Sequence, residues 1–204
     1  MKTRCLTALL WALPAAAGWQ PMFNGRDFTG WEQVGKAVWT IEDGAIVARP
    51  QPDDYGTGWL VSLKEYSDFR LRLKFRMSPG GNSGIGIRDP SRARGPRTPA
   101  HMGYEIAIVD NPRATMQTGS IYALAPAVPG KLKSGEWNEF LITCKGRHIE
   151  VQLNGEKVSE IDHDRSLRGV IGFQMHAKDM TVAFKDVEIE GLPAPDPRPP
   201  TPGP

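Results

Sequence analysis

Cysteine is nearly absent from this 204-residue chain, which carries only Cys5 and Cys144. Two cysteines exclude a disulfide-dense mini-scaffold and any four-cysteine zinc site. An excess of one charge is lacking too, with 25 Lys and Arg against 23 Asp and Glu. No apolar run approaches the ~20 residues that cross a bilayer. HExxH, GxSxG, P-loop and GxGxxG patterns are missing, which removes the motif-borne hydrolase, nucleotide and dinucleotide chemistries. No stretch sustains a 3.6-residue apolar period, so helices do not organise the chain. What is present is 40% hydrophobic and 24% charged residues, the balance of a folded domain.

The two ends subtract from that domain. Lys2 and Arg4 precede the short apolar run Leu6 to Leu13, and Ala15-Ala16-Ala17 offers a small-residue cleavage site. Residues 1–17 therefore read as a secretory signal, with delivery to a bacterial periplasm or beyond and no lasting membrane insertion. Its removal takes Lys2, Arg4 and Cys5, leaving 23 basic against 23 acidic side chains. A neutral mature chain gives no reason to expect a polyanionic partner. At the other end, seven of the twelve residues from Pro193 to Pro204 are proline, which predicts an extended tail over 193–204. One folded domain over 18–192 remains.

That domain reads as sheet. In Asp68 to Met77, Phe69, Leu71, Leu73, Phe75 and Met77 alternate with Arg70, Arg72, Lys74 and Arg76. A two-residue period predicts a strand with one buried and one wet face. The basic side carries no interleaved aromatics, so it reads as a solvated face, and no nucleic acid is expected. Asp43-Gly44 and Asn154-Gly155 supply the positive φ of tight hairpin turns. Further strands are predicted at Gly58–Leu63, Ser83–Arg88, Gly103–Val109, Ser120–Ala123, Glu139–Lys145, Gly169–His176 and Thr181–Glu190. About ten short strands separated by Gly- and Pro-rich turns predict an all-β single domain, a β-sandwich or jelly roll.

Three segments carry candidate chemistry. In Asn82 to Arg88, Ile85 and Ile87 share one face; Gly84, Gly86 and Arg88 share the other. Bare backbone beside a cation reads either as a ligand floor with Arg88 on a ligand oxygen, or as a bulged strand with an exposed arginine. In Gly103 to Asn111, Glu105 has small or apolar neighbours on its own face, Ala107 and Val109. Burial would raise its pKa and suit it to general acid or base work. Asp110 joins it only if the strand ends or bulges near Val109; otherwise the pair is a structural carboxylate and a turn. In Gly169 to His176, Gly172, Gln174 and His176 share a face, where a histidine can shuttle protons, bind metal or be structural. Cys144 alternates with Phe140 and Ile142 and reads as a core thiol.

In order along the chain, these pieces resemble the 3-keto-disaccharide hydrolase family. The resemblance rests on Phe23-Asn24-Gly25-Arg26-Asp27, Gly30-Trp31, Trp39 to Gly44, Glu65 to Phe69, Pro79 to Arg88 and Gly103-Tyr104-Glu105. Asp110-Asn111, Thr118-Gly119, Trp137-Asn138, Asn154-Gly155 and Gly172-Phe173-Gln174 with His176 complete it. It implies a concanavalin A-like jelly roll, a carbohydrate substrate, and cleavage of 3-keto-glycosides through an acidified C2 hydrogen. Such chemistry needs a base, an electrophile for the enolate oxygen and an acid for the leaving group. Glu105, Asp110 and His176 are the candidate acid and base groups and Arg88 the candidate electrophile. Asn82, Gly84, Gly86, Gln174 and Tyr104 are candidate substrate contacts. Alternatively Glu105, Asp110 and His176 ligate a divalent cation that takes the electrophile's role.

Two positions depart from the family pattern. Ala107 stands where glutamine is usual, and Met175 stands where an aspartate usually precedes the histidine. A non-catalytic glycan-binding module, with Trp31 or Trp59 as stacking platforms, is the rival reading. The E-x-D-x-x-E cluster of conventional jelly-roll glucanases is missing. The segment from Arg88 to His101, with Arg92, Arg94 and Arg97, reads as a lid over a sugar or as a solvated loop.

Overall fold

A computed structural model describes residues 18–51, 57–94, 99–176 and 178–193, the side chains of 99 and 100 excepted. The predicted export signal, the tail beyond Pro193 and Arg97 lie outside the described residues. The strands are β1 (Gln20–Pro21), β2 (Trp31–Gly35), β3 (Val38–Glu42), β4 (Ala45–Arg49), β5 (Gly58–Tyr66) and β6 (Phe69–Met77). They continue as β7 (Asn82–Asp89), β8 (Tyr104–Val109), β9 (Asn138–Lys145) and β10 (His148–Leu153). β11 (Glu156–Asp162), β12 (Gly169–Met175) and β13 (Val182–Gly191) complete the set. One helical turn, α1 (Pro99–Met102), lies between β7 and β8, and no described helix is long and apolar enough to cross a membrane.

The larger sheet runs β11-β10-β9-β6-β13-β4-β3, with β1 also on β13; the smaller runs β2-β5-β12-β7-β8. Every paired ladder is antiparallel. The two apolar faces meet in one core, as two-layer packing of half-wet sheets requires. Phe173 of the smaller sheet stacks between Trp31 at 5.1 Å and Phe184 of the larger sheet at 4.4 Å. Trp31 is thus a core residue with its indole N–H on the Met22 carbonyl, not a sugar platform.

β6 behaves as its alternation predicts. Phe69, Leu71, Leu73, Phe75 and Met77 are buried. On the wet side Arg70, Arg72 and Lys74 pair across to Glu190, Glu188 and Asp186 of β13 at 3.1, 2.7 and 2.9 Å. Arg76 lies over Trp137. The basic stripe is one half of a charge ladder. Both hairpin turns have the expected positive φ, at Asp43-Gly44 and Asn154-Gly155. Cys144 is buried in the core, and burial pushes its thiol up to about 12.

Arg88 departs from the strand pattern. Its φ of +50° turns the side chain off the Gly84–Gly86 face and into the interior, where it is 0% exposed. There Nε donates to the Ser67 carbonyl and Nη1 to the Gly146 carbonyl, each at 2.7 Å, and Nη2 donates to Asp68 Oδ1 at 3.0 Å. Asp68 Oδ1 also accepts the Gly146 N–H at 3.0 Å. A guanidinium from the smaller sheet is therefore saturated by the β5–β6 and β9–β10 turns. Removing one partner of a buried ion pair strands the other, at a cost of about 3 to 5 kcal/mol. Arg88→Met is expected to lose stability on that scale in urea unfolding; an unchanged midpoint would contradict the clamp.

Candidate functional site

The outer face of the smaller sheet is a grid fixed by register. Its first row is Glu32, Val61, Gly172, Gly86 and Glu105, from β2, β5, β12, β7 and β8. The second row is Val34, Trp59, Gln174, Gly84 and Ala107, the Gln174–Gly84 step continuing the β12–β7 register. In the third, His176 meets Asn82, which pairs with Val109. Three glycines sit at the centre, and neighbouring side chains use the room that two of them leave. A Cβ on Gly84 would lie 2.8 Å from Glu105 Cγ and Oε1; one on Gly172 would meet Val61 at 3.0 Å and Trp59 at 3.3 Å.

Glu105 leans across this floor. Its side chain is 8% exposed, and burial lifts its carboxyl from the ordinary 4.5 to about 7. Gln174 Nε2 stands 3.5 Å from Oε2. Near neutrality such a group is half ionised, the state a general base needs. The β12–β7 frame is held by the Ser83 hydroxyl, which donates to the Gln174 carbonyl at 2.7 Å. His176 Nδ1 lies 3.1 Å from Asn82 Nδ2. An amide nitrogen has only hydrogens to offer, so with the amide placed this way Nδ1 accepts and neutral His176 carries its proton on Nε2. Two residues along β12 separate His176 from Gln174, a rise of about 7 Å.

The structure thus brings Asn82, Gly84, Gly86, Glu105, Gln174 and His176 onto one face and leaves three candidates off it. Arg88 points into the core, as described. Tyr104, one residue from Glu105, faces the interior, where its hydroxyl meets His163 and the Ser166 N–H. Asp110 follows the end of β8 as a turn anchor: Oδ2 accepts the Gly80 N–H at 2.9 Å and the Ser134 hydroxyl at 2.5 Å. Glu105, Asp110 and His176 therefore do not converge as a three-ligand set. Among the described residues three such donors converge only at His148, Glu150 and Glu160, on the wet face of the larger sheet. There each is engaged by a neighbour, respectively Asp162, Gln152 and Lys157. Met175 is core, so its departure from the family pattern does not touch the floor; Ala107 does lie on it, beside Gly84.

Two features escaped the sequence. Ser120–Ala123 is a bridge and turn instead of a strand, and it sets Tyr122 opposite Glu105, its N–H on the Glu105 carbonyl at 2.8 Å. Tyr122 is 42% exposed, the one aromatic among the exposed large apolar side chains described. The start of the Arg-rich loop is a fixed strap: Asp89 caps Ser91 and Ala93, Ala93 packs on Trp59, Val61 and Val170, and Arg92 and Arg94 pair with Glu32. The strap closes the β2–β5 side of the floor. The opposite edge, past β8, lies away from it.

Solved structures define the class. Two candidate glycosyl hydrolases from Parabacteroides distasonis superpose with TM-scores of 0.72 and 0.71, at 26% and 27% identity. They cover 86% of this chain and 94% and 100% of theirs. A galectin-like protein from Bacillus subtilis shares the fold alone, with a TM-score of 0.62 at 14% identity over 86% of this chain and 96% of its own. The molecule is thus a two-sheet, jelly-roll sandwich. Within that class the chain belongs to the 3-keto-alpha-glucoside-1,2-lyase-like family, whose sequence profile matches residues 18–190. A 3-keto-disaccharide hydrolase of Bacteroides thetaiotaomicron is 32% identical over 171 residues, 71% of this chain and 59% of that protein. The chain spans about three-fifths of that relative's length.

Two outcomes follow from the floor. Gly84→Ala is expected to push the Glu105 carboxylate aside and cut turnover by about 100-fold, the scale of a misplaced reacting group; unchanged kcat would show that the space is not needed. Glu105 also has a stability signature. Its folded pKa, about 7, lies above its unfolded 4.5, so the stability it contributes is full below 4.5 and lost as pH rises through 7. The loss is on the order of 3 kcal/mol. Glu105→Gln is therefore expected to match the parent near pH 4.5 and to be more stable at pH 8; parallel pH–stability curves would contradict the burial.

Proposed function

We propose that this chain cleaves 3-keto-glycosides by elimination and hydration and acts as an exported enzyme. The observation that carries the reading is Glu105, a buried carboxyl titrating near 7 over a glycine floor, in a chain of this family. A carbonyl at C3 acidifies the C2 hydrogen. Glu105 takes that proton, the electron pair forms the C1–C2 double bond and the glycosidic oxygen leaves C1. His176, held by Asn82, gives its Nε2 proton to the departing oxygen. Water then adds across the double bond: its oxygen bonds to C1, one of its protons restores Nε2 of His176, and Glu105 returns its proton to C2, giving net hydrolysis without the oxocarbenium route. Gln174 donates toward the Glu105 carboxylate and orients it. Gly84 leaves the room in which the Glu105 carboxylate lies over the sheet to meet the C2 hydrogen of the keto ring. Secretion rests on the sequence of residues 1–17.

The test is incubation with 3-keto-trehalose and 3-keto-lactose beside the unoxidised sugars. The oxidised sugars are expected to be consumed and the parent sugars left intact. Glu105→Gln and His176→Ala are expected to lose about 100-fold to 10,000-fold in kcat, the range of general acid–base groups. The parent rate should rise with pH to a plateau, with a midpoint near 7. Tight glycan binding without turnover of any keto sugar would instead establish the glycan-binding module.

A further inference from the structure

Glu105 and His176 occupy different rows of the floor, and this fixes a direction on any substrate of the reaction proposed above. The ring whose C2 proton is removed lies against the Glu105 carboxylate, which leans over Gly84 in the second row. The oxygen that leaves must then lie toward the third row, at His176. That row continues from His176 to Asn82 to Val109, a sideways distance of about 10 Å at about 4.8 Å per strand. Val109 is also a wall of a cleft of 360 Å³ beyond the β8 edge. We propose that this cleft is the subsite for the second sugar ring, the leaving group, and that it sets the preference for disaccharides; the proposal rests on the reading in the preceding section.

The lining suits one pyranose. Ligand sites run from about 300 to 1,000 Å³, so 360 Å³ holds a single ring rather than a chain. Val109 and Pro129 offer apolar surface to ring C–H groups, while Asn111, Gln117 and Lys131 bring polar groups to the rim. The polar groups are pre-oriented. Asn111 Oδ1 accepts the Arg113 N–H at 3.0 Å, which directs its amide hydrogens away from that turn. Gln117 Nε2 donates to the Pro112 carbonyl at 3.0 Å, which presents Oε1 as an acceptor. Asn111 thus offers a donor and Gln117 an acceptor to ring hydroxyls. The strap of Arg92 and Arg94 on Glu32 closes the opposite, β2–β5 side of the floor; on the β8 side residues 118–122 lie along the strand, and Thr118, bonded to the Val109 backbone, joins Val109 in the near wall of the cleft.

The experiment compares kcat/KM for 3-keto-trehalose, whose leaving group is a sugar, with that for methyl 3-keto-α-glucoside, whose leaving group is methanol. Asn111→Asp keeps the bond to the Arg113 N–H and loses the amide donor; Asn111→Trp fills the cleft mouth. Each is expected to lower the disaccharide-to-methyl ratio by about 10-fold, the weight of one hydrogen bond to a hydroxyl and its packing. An unchanged ratio in both variants, whether both substrates slow together or neither does, overturns the subsite while the cleavage reading stands. A parent chain that turns over neither substrate overturns the cleavage reading and the subsite with it.

Discussion

The clamp made by Arg88 is the constraint on which the rest of the site depends. A buried guanidinium from the smaller sheet is bonded to Asp68 and the Ser67 carbonyl, in the β5–β6 turn that joins the two sheets, and to the Gly146 carbonyl, in the β9–β10 turn of the larger sheet. The pair is fully satisfied, the condition under which a buried ion pair specifies one arrangement and not an ensemble. To reach it the backbone of β7 turns through positive φ at Arg88, and Gly169 and Gly103 are the residues that allow that turn: a Cβ on either would meet Arg88 backbone atoms within 2.7 Å. The clamp closes the sandwich at one end of β7, and the strap of residues 89–94 starts immediately after it. Behind the clamp the β7 glycines stay in register with β8 and β12.

That register is what makes Glu105 unusual. A carboxyl on the wet face of a sheet would ordinarily stay near 4.5 and be solvated. Here it leans in over Gly84 toward Gln174, and burial raises its pKa to about 7. The arrangement opposes stability at neutral pH, and the continuous core that links Trp31, Phe173 and Phe184 across the sheets offsets it. The stability cost falls on the side chain that the proposed reaction uses as its base.

The sequence pattern made most of the fold legible, and the structure sets six of the nine candidate residues on one face. Period-2 alternation located β6 because its charged side chains stay on the wet face, three with acidic partners on β13 and Arg76 over Trp137, so the pattern is undistorted. The same alternation placed Gly84, Gly86, Glu105, Gln174 and His176 correctly on one face. It failed at Arg88 because a single left-handed residue reverses the face without altering the spacing of side chains. It failed at Asp110 because the ladder ends at Val109, and beyond a strand end parity no longer predicts direction. Tyr104 is a candidate only through the family resemblance; strand parity sets it on the face opposite Glu105, and the structure keeps it there. Trp31 stands at a strand start, where an exposed platform and a core anchor look alike. Tyr122 left no signal, since its position depends on pairing between a turn and the β8 edge.

The most direct measurement is deuterium wash-in at C2 of 3-keto-glucose in D2O, followed by NMR. It isolates proton removal from bond cleavage, water addition and leaving-group binding. If Glu105 is the base, the parent chain exchanges the C2 hydrogen well above the buffer rate, with a midpoint near pH 7, and Glu105→Gln falls to the buffer rate. Exchange that persists undiminished in Glu105→Gln would contradict the account at its centre.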